Sequence, residues 1–358
     1  MQLENRIKAF ISLGKFIGQF SDSTVSKKED ILLNDSFFDG MKDCLQLAKS
    51  QNGWFTDDNI LFALKSWSEA LSEKSIRQWL SAYTFQETTP KTIALVMAGN
   101  IPLVGFHDFL SVLISGNKAL MKLSTNDKQL LPYLSSYLIA VEEEFKNYIS
   151  FTEGKLENFD GVIATGSNNT ARYFEYYFGK YPSIIRKNRN SVAVLTGTET
   201  KEQLEELAHD IFRYFGMGCR NVSKIYLPKD YNFDDFFNAM FSWKQVINDN
   251  KYMNNYDYNK AVYLMSTHSS RGNLLDNEFL MLKEDAGFSS PISVIFYETY
   301  TDLNTVKEHL ANASENIQCI VSTAGIENEI SFGDSQNPKL WDYADDVDTL
   351  TFLLKLSE

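Results

Sequence analysis

The sequence predicts an α/β protein with two lobes, each built on a mainly parallel sheet, and a group of helices at the N-terminus. Residues 1–85 space their apolar side chains as helices do. After Pro90, short apolar runs alternate with amphipathic segments, and a polar stretch at 196–202 separates two such regions. The predicted domains are the N-terminal helices with the first lobe (1–195), a second lobe (196–340) and a C-terminal arm (341–358).

The N-terminal part is predicted to be helical from its periodicity. The segment DNILFALKSWSEALSEKSIRQWL places apolar residues at intervals of three and four. Acidic residues open the segment, as suits a helix N-terminus.

The first lobe begins with KTIALVMAG, a nearly continuous apolar run typical of a buried parallel strand. ALMKLS and FDGVIATG are predicted to be the next two strands. The intervening and following helices are HDFLSVLISG, DKQLLPYLSSYLIAVEEEF and SNNTARYFEYYFG, the last with Ser167 or Asn168 as N-cap. Strands that alternate with helices predict right-handed crossovers and a parallel sheet.

The second lobe repeats this alternation. SVAVLTG is a predicted strand, KEQLEELAHDIFRYF an amphipathic helix that Gly216 can end, and VSKIYLPKDY another strand. Strand and helix alternate again through AVYLMS, PISVIFYE, VKEHLANAS and CIVSTAG.

Composition narrows the class of protein. The 358 residues exceed the size of most single cores, and 44% hydrophobic with 23% charged residues is typical of a globular protein. A net charge of −13 argues against general affinity for nucleic acid or anionic membranes. No signal-like apolar run follows Met1 and no stretch of about 18 apolar residues occurs, so we expect a cytoplasmic protein without a membrane span.

The cysteines and histidines predict no metal site. The cysteines lie far apart and form no CxxC pair: Cys44, Cys219 and Cys319. The histidines are equally scattered: His107, His209, His268 and His309. We therefore expect reduced thiols and no metal cofactor.

Cys219 is the candidate nucleophile. It lies in FGMGCRN, between a predicted helix and a predicted strand, with Gly216, Gly218 and Arg220 beside it. Small neighbours let a carbonyl group reach the sulfur, and a nearby cation with backbone amides favours the thiolate. The alternative is a buried cysteine that acts as a small hydrophobic residue, and spacing alone does not decide between the two.

Further candidates follow the strands of the first lobe. Asn100, in AGNIP, could donate to a developing oxyanion, although Asn before Ile-Pro is also a common turn residue. Gly166 and Ser167 open a helix whose first amides could hold a phosphate, but there is no GxGxxG motif. Lys122 ends a strand, where it could bind a ribose or phosphate or simply be solvated.

Arg186, Lys187 and Arg189 form the densest basic cluster of this acidic chain. The cluster could receive an anionic carrier, or it could be a surface turn.

These segments, in this order, resemble the aldehyde dehydrogenase superfamily and, more closely, its LuxC-like acyl-CoA reductase branch. The similarity runs from about residue 90 to the end and leaves the first 85 residues without a matching motif. MAGNIPLVGFHDFLSVLISGNKALMKLS, DGVIATGSNNTARYF and FGMGCRNVSKIYLP are similar to the oxyanion, pyrophosphate and cysteine segments of the superfamily. The tail SFGDSQNPKLWDYADDVDTLTFLL resembles the LuxC-like branch in particular.

The resemblance implies an aldehyde dehydrogenase-like fold and a role for each candidate. It makes Cys219 the nucleophile and Asn100 the oxyanion donor, with Lys122 at the cofactor ribose. It places Gly166 and Ser167 beneath the cofactor pyrophosphate.

The resemblance also bears on the nicotinamide cofactor. LKEDAGFSSPISVIFYE is similar to the segment whose acidic residue contacts the nicotinamide ribose, here Glu284. Ser124 and Thr125 follow Lys122, and NAD-preferring relatives often have a glutamate where Thr125 stands. Without that carboxylate a 2′-phosphate is not repelled, so NADPH is favoured, with NADH as the alternative.

One departure from the superfamily concerns water. Hydrolytic aldehyde dehydrogenases carry a glutamate, within a glutamate-leucine-glycine-glycine motif, that activates water to release the acid. The corresponding stretch, SIIRKNRNSVAVL, contains no acidic residue. This favours reduction of a thioester over oxidation of an aldehyde to an acid.

The sequence therefore predicts NADPH-dependent reduction of an acyl-CoA or acyl-carrier thioester to the aldehyde through an acyl-cysteine. The alternatives are an aldehyde-oxidising dehydrogenase or acyl-phosphate reductase on the same fold, and a non-catalytic scaffold or carrier-binding subunit. Acyl-transferring partner enzymes and a homo-oligomer are also expected from the resemblance.

Overall fold

The computed structural model describes residues 1–21, 25–266 and 274–357. The α-helices of these residues are α1 (Leu3–Ile17), α2 (Asn34–Gln51), α3 (Asp57–Ala70), α4 (Glu73–Leu80), α5 (Phe106–Ser115), α6 (Leu130–Val141), α7 (Asn168–Phe178), α8 (Lys201–Phe212), α9 (Phe233–Met240), α10 (Asn250–Ser266), α11 (Leu303–Asn312) and α12 (Thr349–Ser357). The strands are β1 (Thr92–Val96), β2 (Lys118–Lys122), β3 (Ile149–Phe151), β4 (Gly161–Thr165), β5 (Ser183–Arg186), β6 (Asn190–Val194), β7 (Val222–Pro228), β8 (Leu274–Asp276), β9 (Met281–Glu284), β10 (Val294–Tyr300), β11 (Ile317–Ser322) and β12 (Glu329–Ile330).

The chain forms two compact units. The first unit comprises Met1–Lys187 with Lys339–Glu358, and the second comprises Asn188–Pro338. The division differs from the predicted one at residue 196 because β6 pairs with β7 and β11 of the second sheet, so the polar stretch 196–202 lies inside the second unit. The segment predicted as a separate C-terminal arm belongs to the first unit, since α12 packs against α5.

The predicted N-terminal helices are α1 to α4, and they share one hydrophobic core with the helices that follow β1 and β2. Phe10 of α1 makes edge-to-face contacts with Phe109 of α5 and with Phe145. Phe16 stacks on Tyr137 of α6, with 4.3 Å between the ring centroids. These fully buried aromatic rings anchor the N-terminal helices to the α/β part of the unit.

The first sheet is entirely parallel, with strand order β3-β2-β1-β4-β5. Its two faces are both covered. Ile93 and Leu95 of β1 lie in the core shared with the helices, whereas Ala94 packs in a separate cluster with Phe174 and Phe178 of α7. Burial on both faces explains why the β1 segment is a continuous apolar run rather than an alternating one.

The second sheet has the order β12-β11-β6-β7-β10-β9-β8, and every pairing is parallel except that between β8 and β9. α8 begins with a capping box, in which Thr200 and Gln203 satisfy each other's backbone amides. α8 ends next to the loop that contains Cys219, so the helix and β7 fix both ends of that loop.

In the three described stretches, no helix combines the length and the apolar character needed to cross a membrane.

Candidate active site

The first sheet presents an open edge at the carboxyl ends of its strands. The chain runs from β1 outward to β2 and β3, and then returns to β4 on the other side of β1. Open α/β sheets bind ligands outside the carboxyl ends of their strands, at the point where the strand order reverses in this way. Asn100 follows β1 and Gly166 follows β4, so these two residues flank the reversal.

The turns after β1 and β2 are in close contact. A Cβ atom on Gly99 would lie only 2.7 Å from Oγ of Ser124, so the approach of the two turns requires glycine. Asn100 and Thr125 are both exposed beside this contact. Lys122 donates from Nζ to the carbonyl oxygen of Gly154 at 2.9 Å. The structure therefore brings Asn100, Ser124 and Thr125 together.

The start of α7 has the chemistry of a phosphate site. Ser167 is the N-cap and accepts a hydrogen bond from the amide of Thr170 at 3.3 Å. A Cβ atom on Gly166 would lie 3.0 Å from the side chains of Thr170 and Phe174, so a larger residue would crowd the turn. The first turn of α7 contains no acidic residue, and its amides carry partial positive charge. The free amides of this turn could accept an anionic group such as a phosphate.

The predicted basic cluster is divided among internal contacts. Arg186 is buried, and Nη2 donates to Oδ1 of Asp108 at 2.7 Å and to Oγ1 of Thr349 at 2.9 Å. Arg186 is therefore not available to bind a carrier, contrary to the prediction, because the carboxylate of Asp108 neutralises it inside the first unit. Lys187 is exposed and pairs with Glu175 at 2.8 Å.

The last member of the basic cluster, Arg189, belongs to the second unit. Nη1 of Arg189 donates to the carbonyl oxygen of Ile317 at 3.3 Å. Lys187 and Arg189 stay candidates for carrier binding.

In the second unit, Cys219 lies in a tight turn. The amide of Asn221 donates to the carbonyl of Gly218 at 3.0 Å, so Cys219 and Arg220 are the two central residues of the turn. Oγ of Ser191 donates to the carbonyl of Cys219 at 2.9 Å and ties the turn to β6. The side chain of Cys219 is exposed, as a nucleophile must be.

The approach to this turn has an unusual backbone. Tyr214, Phe215 and Gly216 have φ values of 54°, 59° and 75° in succession. Left-handed residues other than glycine cost roughly 1–2 kcal/mol each. Both aromatic side chains are buried, so packing holds the backbone in this conformation.

A buried carboxylate supports the same region. Asp210 of α8 accepts hydrogen bonds from the amides of Gly333 at 2.7 Å and Ser335 at 3.0 Å. Burial raises the pKa of Asp210 to about 6, although these hydrogen bonds act in the opposite direction. Nε of Arg220 in turn donates to the carbonyl of Ser335. The segment 331–336, which begins the tail resembling the LuxC-like branch, therefore connects α8 to the residue after Cys219.

The other two cysteines differ sharply from Cys219. Cys44 is buried, and burial with the negative charge of Asp127 raises the pKa of its thiol to about 12. Cys319 is also buried, its pKa is raised by burial, and its sulfur lies 2.9 Å from Oγ of Ser191. Only the thiolate is nucleophilic, and the raised pKa values of Cys44 and Cys319 keep both thiols protonated. Cys219 is also the exposed cysteine of the three, so it is the best candidate for a nucleophile.

Glu284 ends β9 and is exposed beside Tyr297 of β10. The residues after it turn back across β7. Nζ of Lys224, which is fully buried, donates to the carbonyls of Asp285 at 3.2 Å and Ala286 at 2.9 Å, and forms an ion pair with Glu298. Lys224 thereby fixes the course of the chain directly after Glu284.

Lys224, Asp210 and Asn221 are structural residues of the site that the sequence analysis does not identify. For Lys224 the signal is present, because a lysine inside the apolar run VSKIYLP must be paired if the strand is buried. Asp210 has no such signal, since its partners Gly333 and Ser335 lie on a distant segment. Nothing in FGMGCRN indicates that the side chain of Asn221 bonds to Gly218 and to the end of α8.

No group of three or more His, Cys, Asp or Glu side chains within the described ranges could hold a metal ion. His268, one of the histidines considered above, lies outside the described residues.

The two units have an aldehyde dehydrogenase-like fold, which solved structures share. Aldehyde dehydrogenase 21 from Physcomitrella patens, in complex with the reaction product succinate, matches with a TM-score of 0.67 at 12% identity over 100% of this chain and 85% of that one. The P. syringae indole-3-acetaldehyde dehydrogenase AldA, in complex with NAD+ and IAA, matches with a TM-score of 0.62 at 12% identity, over 92% of this chain and 74% of that one. Staphylococcus aureus AldH matches with a TM-score of 0.55 at 17% identity, over 93% of this chain and 80% of that one.

The particular family follows from the sequence. The model of the acyl-CoA reductase (LuxC) family matches residues 6–242, more than half of the chain, and the chain belongs to this family. The match includes α1 to α4, for which the motifs of the sequence gave no similarity. A search among curated proteins found no match.

Proposed function

We propose that the protein reduces an acyl thioester to an aldehyde and that Cys219 is the nucleophile. The observation that carries the proposal is the exposure of Cys219 in a glycine-flanked turn, while Cys44 and Cys319 are buried. Membership of the acyl-CoA reductase family supports an acyl thioester, of coenzyme A or of an acyl carrier, as the substrate class.

In the first half-reaction, the Cys219 thiolate attacks the carbonyl carbon of the thioester. A carbon–sulfur bond forms, and the carbonyl electron pair moves to oxygen, where the Cys219 amide and, as the family resemblance implies, the Asn100 side chain would donate hydrogen bonds. Collapse of this oxyanion breaks the bond to the carrier, which leaves as a thiolate and takes up a proton. The acyl group is then held on Cys219 as a thioester.

When bound, a reduced nicotinamide dinucleotide would supply the hydride that takes the acyl-cysteine to the oxidation level of the aldehyde, and it would itself be oxidised. The oxyanion that results on the Cys219 adduct is stabilised by the same two donors. When the carbon–sulfur bond breaks, the aldehyde leaves and the sulfur returns as a thiolate.

Residues of the first sheet edge would hold this cofactor. The first turn of α7, at Gly166 and Ser167, suits the pyrophosphate, and Lys122 suits the adenosine ribose. Glu284 would contact the nicotinamide ribose. Thr125 stands where a glutamate would repel a phosphate on the 2′ position of the adenosine ribose. Because threonine carries no charge, NADPH is favoured over NADH.

The stretch between β4 and β6 supports reduction over hydrolysis. The residues from Ser183 to Leu195 include no carboxylate that could activate water against the acyl-cysteine. Lys187 and Arg189 would attract the phosphates of coenzyme A or an acidic carrier.

The test is aldehyde formation from acetyl-, octanoyl- and tetradecanoyl-CoA with NADPH, followed by the absorbance of the cofactor and by product analysis. Cys219→Ala should abolish the reaction, because no other exposed thiol replaces it. Cys44→Ala is the matched control and should keep activity within about 2-fold, since its thiol is buried and protonated. Full activity of Cys219→Ala, or release of free acid from an aldehyde without coenzyme A by the unmodified protein, would overturn the proposal.

A further inference from the structure

Asn221 uses every polar group of its side chain on two segments that precede Cys219, the start of its turn and the end of α8. Oδ1 accepts a hydrogen bond from the amide of Gly218 at 2.8 Å. Nδ2 donates to the carbonyls of Asp210 at 3.0 Å and Arg213 at 2.8 Å, with Ile211 at 3.4 Å. The residue is buried, so these contacts are protected from water.

The Gly218 contact closes the turn a second time. The backbone amide of Asn221 already donates to the carbonyl of Gly218 at 3.0 Å, and the side chain of Asn221 now returns to the amide of the same residue. Cys219 and Arg220 lie between these two bonds. The conformation of the residue that carries the sulfur is therefore fixed from both sides.

The three contacts from Nδ2 of Asn221 to carbonyl oxygens reduce the negative charge at the end of α8. α8 ends at Phe212, and the last carbonyls of a helix carry the negative end of its dipole. Asn221 spans from these oxygens to Gly218, so they lie one asparagine side chain away from the turn that holds Cys219, and left uncapped they would disfavour a thiolate in that turn. The Nδ2 group of Asn221 covers them with hydrogen-bond donors.

We propose that Asn221 is a positioning residue for Cys219: it fixes the nucleophile turn and screens the sulfur from the negative end of α8. The role of this residue in turnover rests on the proposed function. Its effect on the thiol does not, because any electrophile reports the reactivity of the sulfur.

A second buried asparagine provides a matched control. Asn117 of the first unit accepts from the amide of Lys91 at 2.9 Å and the hydroxyl of Ser357 at 2.9 Å. Its Nδ2 donates to Ser115 at 3.0 Å and to the carbonyl of Leu353 at 3.3 Å. Asn117→Ala therefore removes as many hydrogen bonds as Asn221→Ala without involving the cysteine turn.

The experiment measures the rate of alkylation of Cys219 by iodoacetamide in the full-length protein from pH 7 to 10. Mass spectrometry of the Cys219 peptide gives the rate, and this pH range keeps Asp210 ionised in every sample. Circular dichroism shows that each variant is folded. The variants are Asn221→Ala, the isosteric Asn221→Asp and the control Asn117→Ala.

At pH 8, Asn221→Ala should alkylate roughly 3- to 10-fold more slowly than the unmodified protein, with the profile displaced to higher pH. Asn221→Asp should be slower still, because it adds a negative charge while keeping the shape. Asn117→Ala should alkylate at the unmodified rate. A purely structural role for Asn221 predicts similar rates for Asn221→Ala and Asn221→Asp and no displacement of the pH profile, because the thiol is already exposed in the unmodified protein.

The kinetic constants provide a second readout. With octanoyl-CoA and NADPH, Asn221→Ala should lower kcat by about 100-fold and change KM little, because a misplaced nucleophile affects the chemical step more than binding. Alkylation of both Asn221 variants at or above the unmodified rate would overturn the inference. If the unmodified protein forms no aldehyde from any thioester, the proposed function fails, while the alkylation series still decides the role of Asn221.

Discussion

Thr125 is the residue on which the cofactor preference depends. It is exposed beside Ser124, in the turn that follows Lys122, and contributes no charge there. Thr125→Glu should lower kcat/KM for NADPH by about 10-fold or more while changing kcat/KM for NADH less, because a carboxylate repels the 2′-phosphate. Steady-state kinetics with each cofactor measure the effect.

The control for this substitution is Thr301→Glu, which adds the same charge at an exposed threonine of the second unit, after β10. It should leave the ratio of the two kcat/KM values unchanged. Equal losses with NADPH and NADH in Thr125→Glu would contradict a contact between residue 125 and the 2′-phosphate.

Residues whose chemistry depends on local sequence could be predicted. Cys219 stands between glycines, Asn100 and Gly166 follow apolar strands, and these signals are contained in a few adjacent positions. Arg186 also follows a strand, but the sequence does not indicate that Asp108 lies 2.7 Å away and neutralises it. The role of a charged side chain depends on its partner, and the partner here lies 78 positions earlier in the chain.

At the scale of elements, one buried ion pair holds three of them together. Arg186 ends β5, Asp108 lies on α5 and Thr349 begins α12, and both charged side chains are 9% exposed. Asp108→Ala should destabilise the first unit by about 3–5 kcal/mol, because it leaves the buried guanidinium without its carboxylate. Urea unfolding measures this loss.

Lys187→Met is the control, since it breaks the neighbouring but exposed ion pair with Glu175. The free energy of unfolding should change by no more than about 0.5 kcal/mol. A loss for Asp108→Ala no larger than that for Lys187→Met would show that the buried pair does not stabilise the unit.

Most long elements could be predicted, but several short ones and one long helix could not. AVYLMS, predicted as an element of its own, is the end of the helix Asn250–Ser266. β1, β4 and α5 are apolar enough to stand out from their flanking residues. β3, β5 and β8 have three or four residues each and lie at or near the edges of their sheets, where polar side chains are tolerated. Pairing with a neighbour defines such strands, and pairing is not visible in a short sequence window.

At the scale of the whole molecule, stability should depend on pH through buried carboxyl groups. Burial raises the pKa of Asp210 to about 6 from its ordinary 3.8, so the folded protein holds this proton more tightly than the unfolded chain does. The group therefore favours folding below about pH 4 and loses that contribution as the pH rises to about 6. The difference corresponds to about 3 kcal/mol.

Asp210→Asn replaces the titrating carboxyl group with an amide that does not titrate. Any other change that it makes to the free energy of unfolding should be the same at every pH. The free energy of unfolding of the unmodified protein, minus that of Asp210→Asn, should therefore fall between pH 4 and 6. A difference that is constant over this range would contradict the raised pKa.

The presence of two lobes, each with a sheet, could be predicted from the alternation of strands and helices. The division between the units could not be placed correctly, because β6 lies close in sequence to β5 yet pairs with strands 30 or more positions away. The return of α12 to the first unit could not be predicted either, since its partners are distant in sequence: the bond from Asn117 to Leu353 joins residues 236 positions apart.

The discontinuity of the first unit has a consequence for biosynthesis. Asn117 and Arg186 donate hydrogen bonds to Leu353 and Thr349 of α12. Residues 1–187 therefore cannot complete their core until α12 has been synthesised. The second unit, residues 188–338, is one uninterrupted segment and emerges from the ribosome whole before that helix does. A released chain truncated after residue 338 should thus protect its middle region from protease while its N-terminal half is still cleaved.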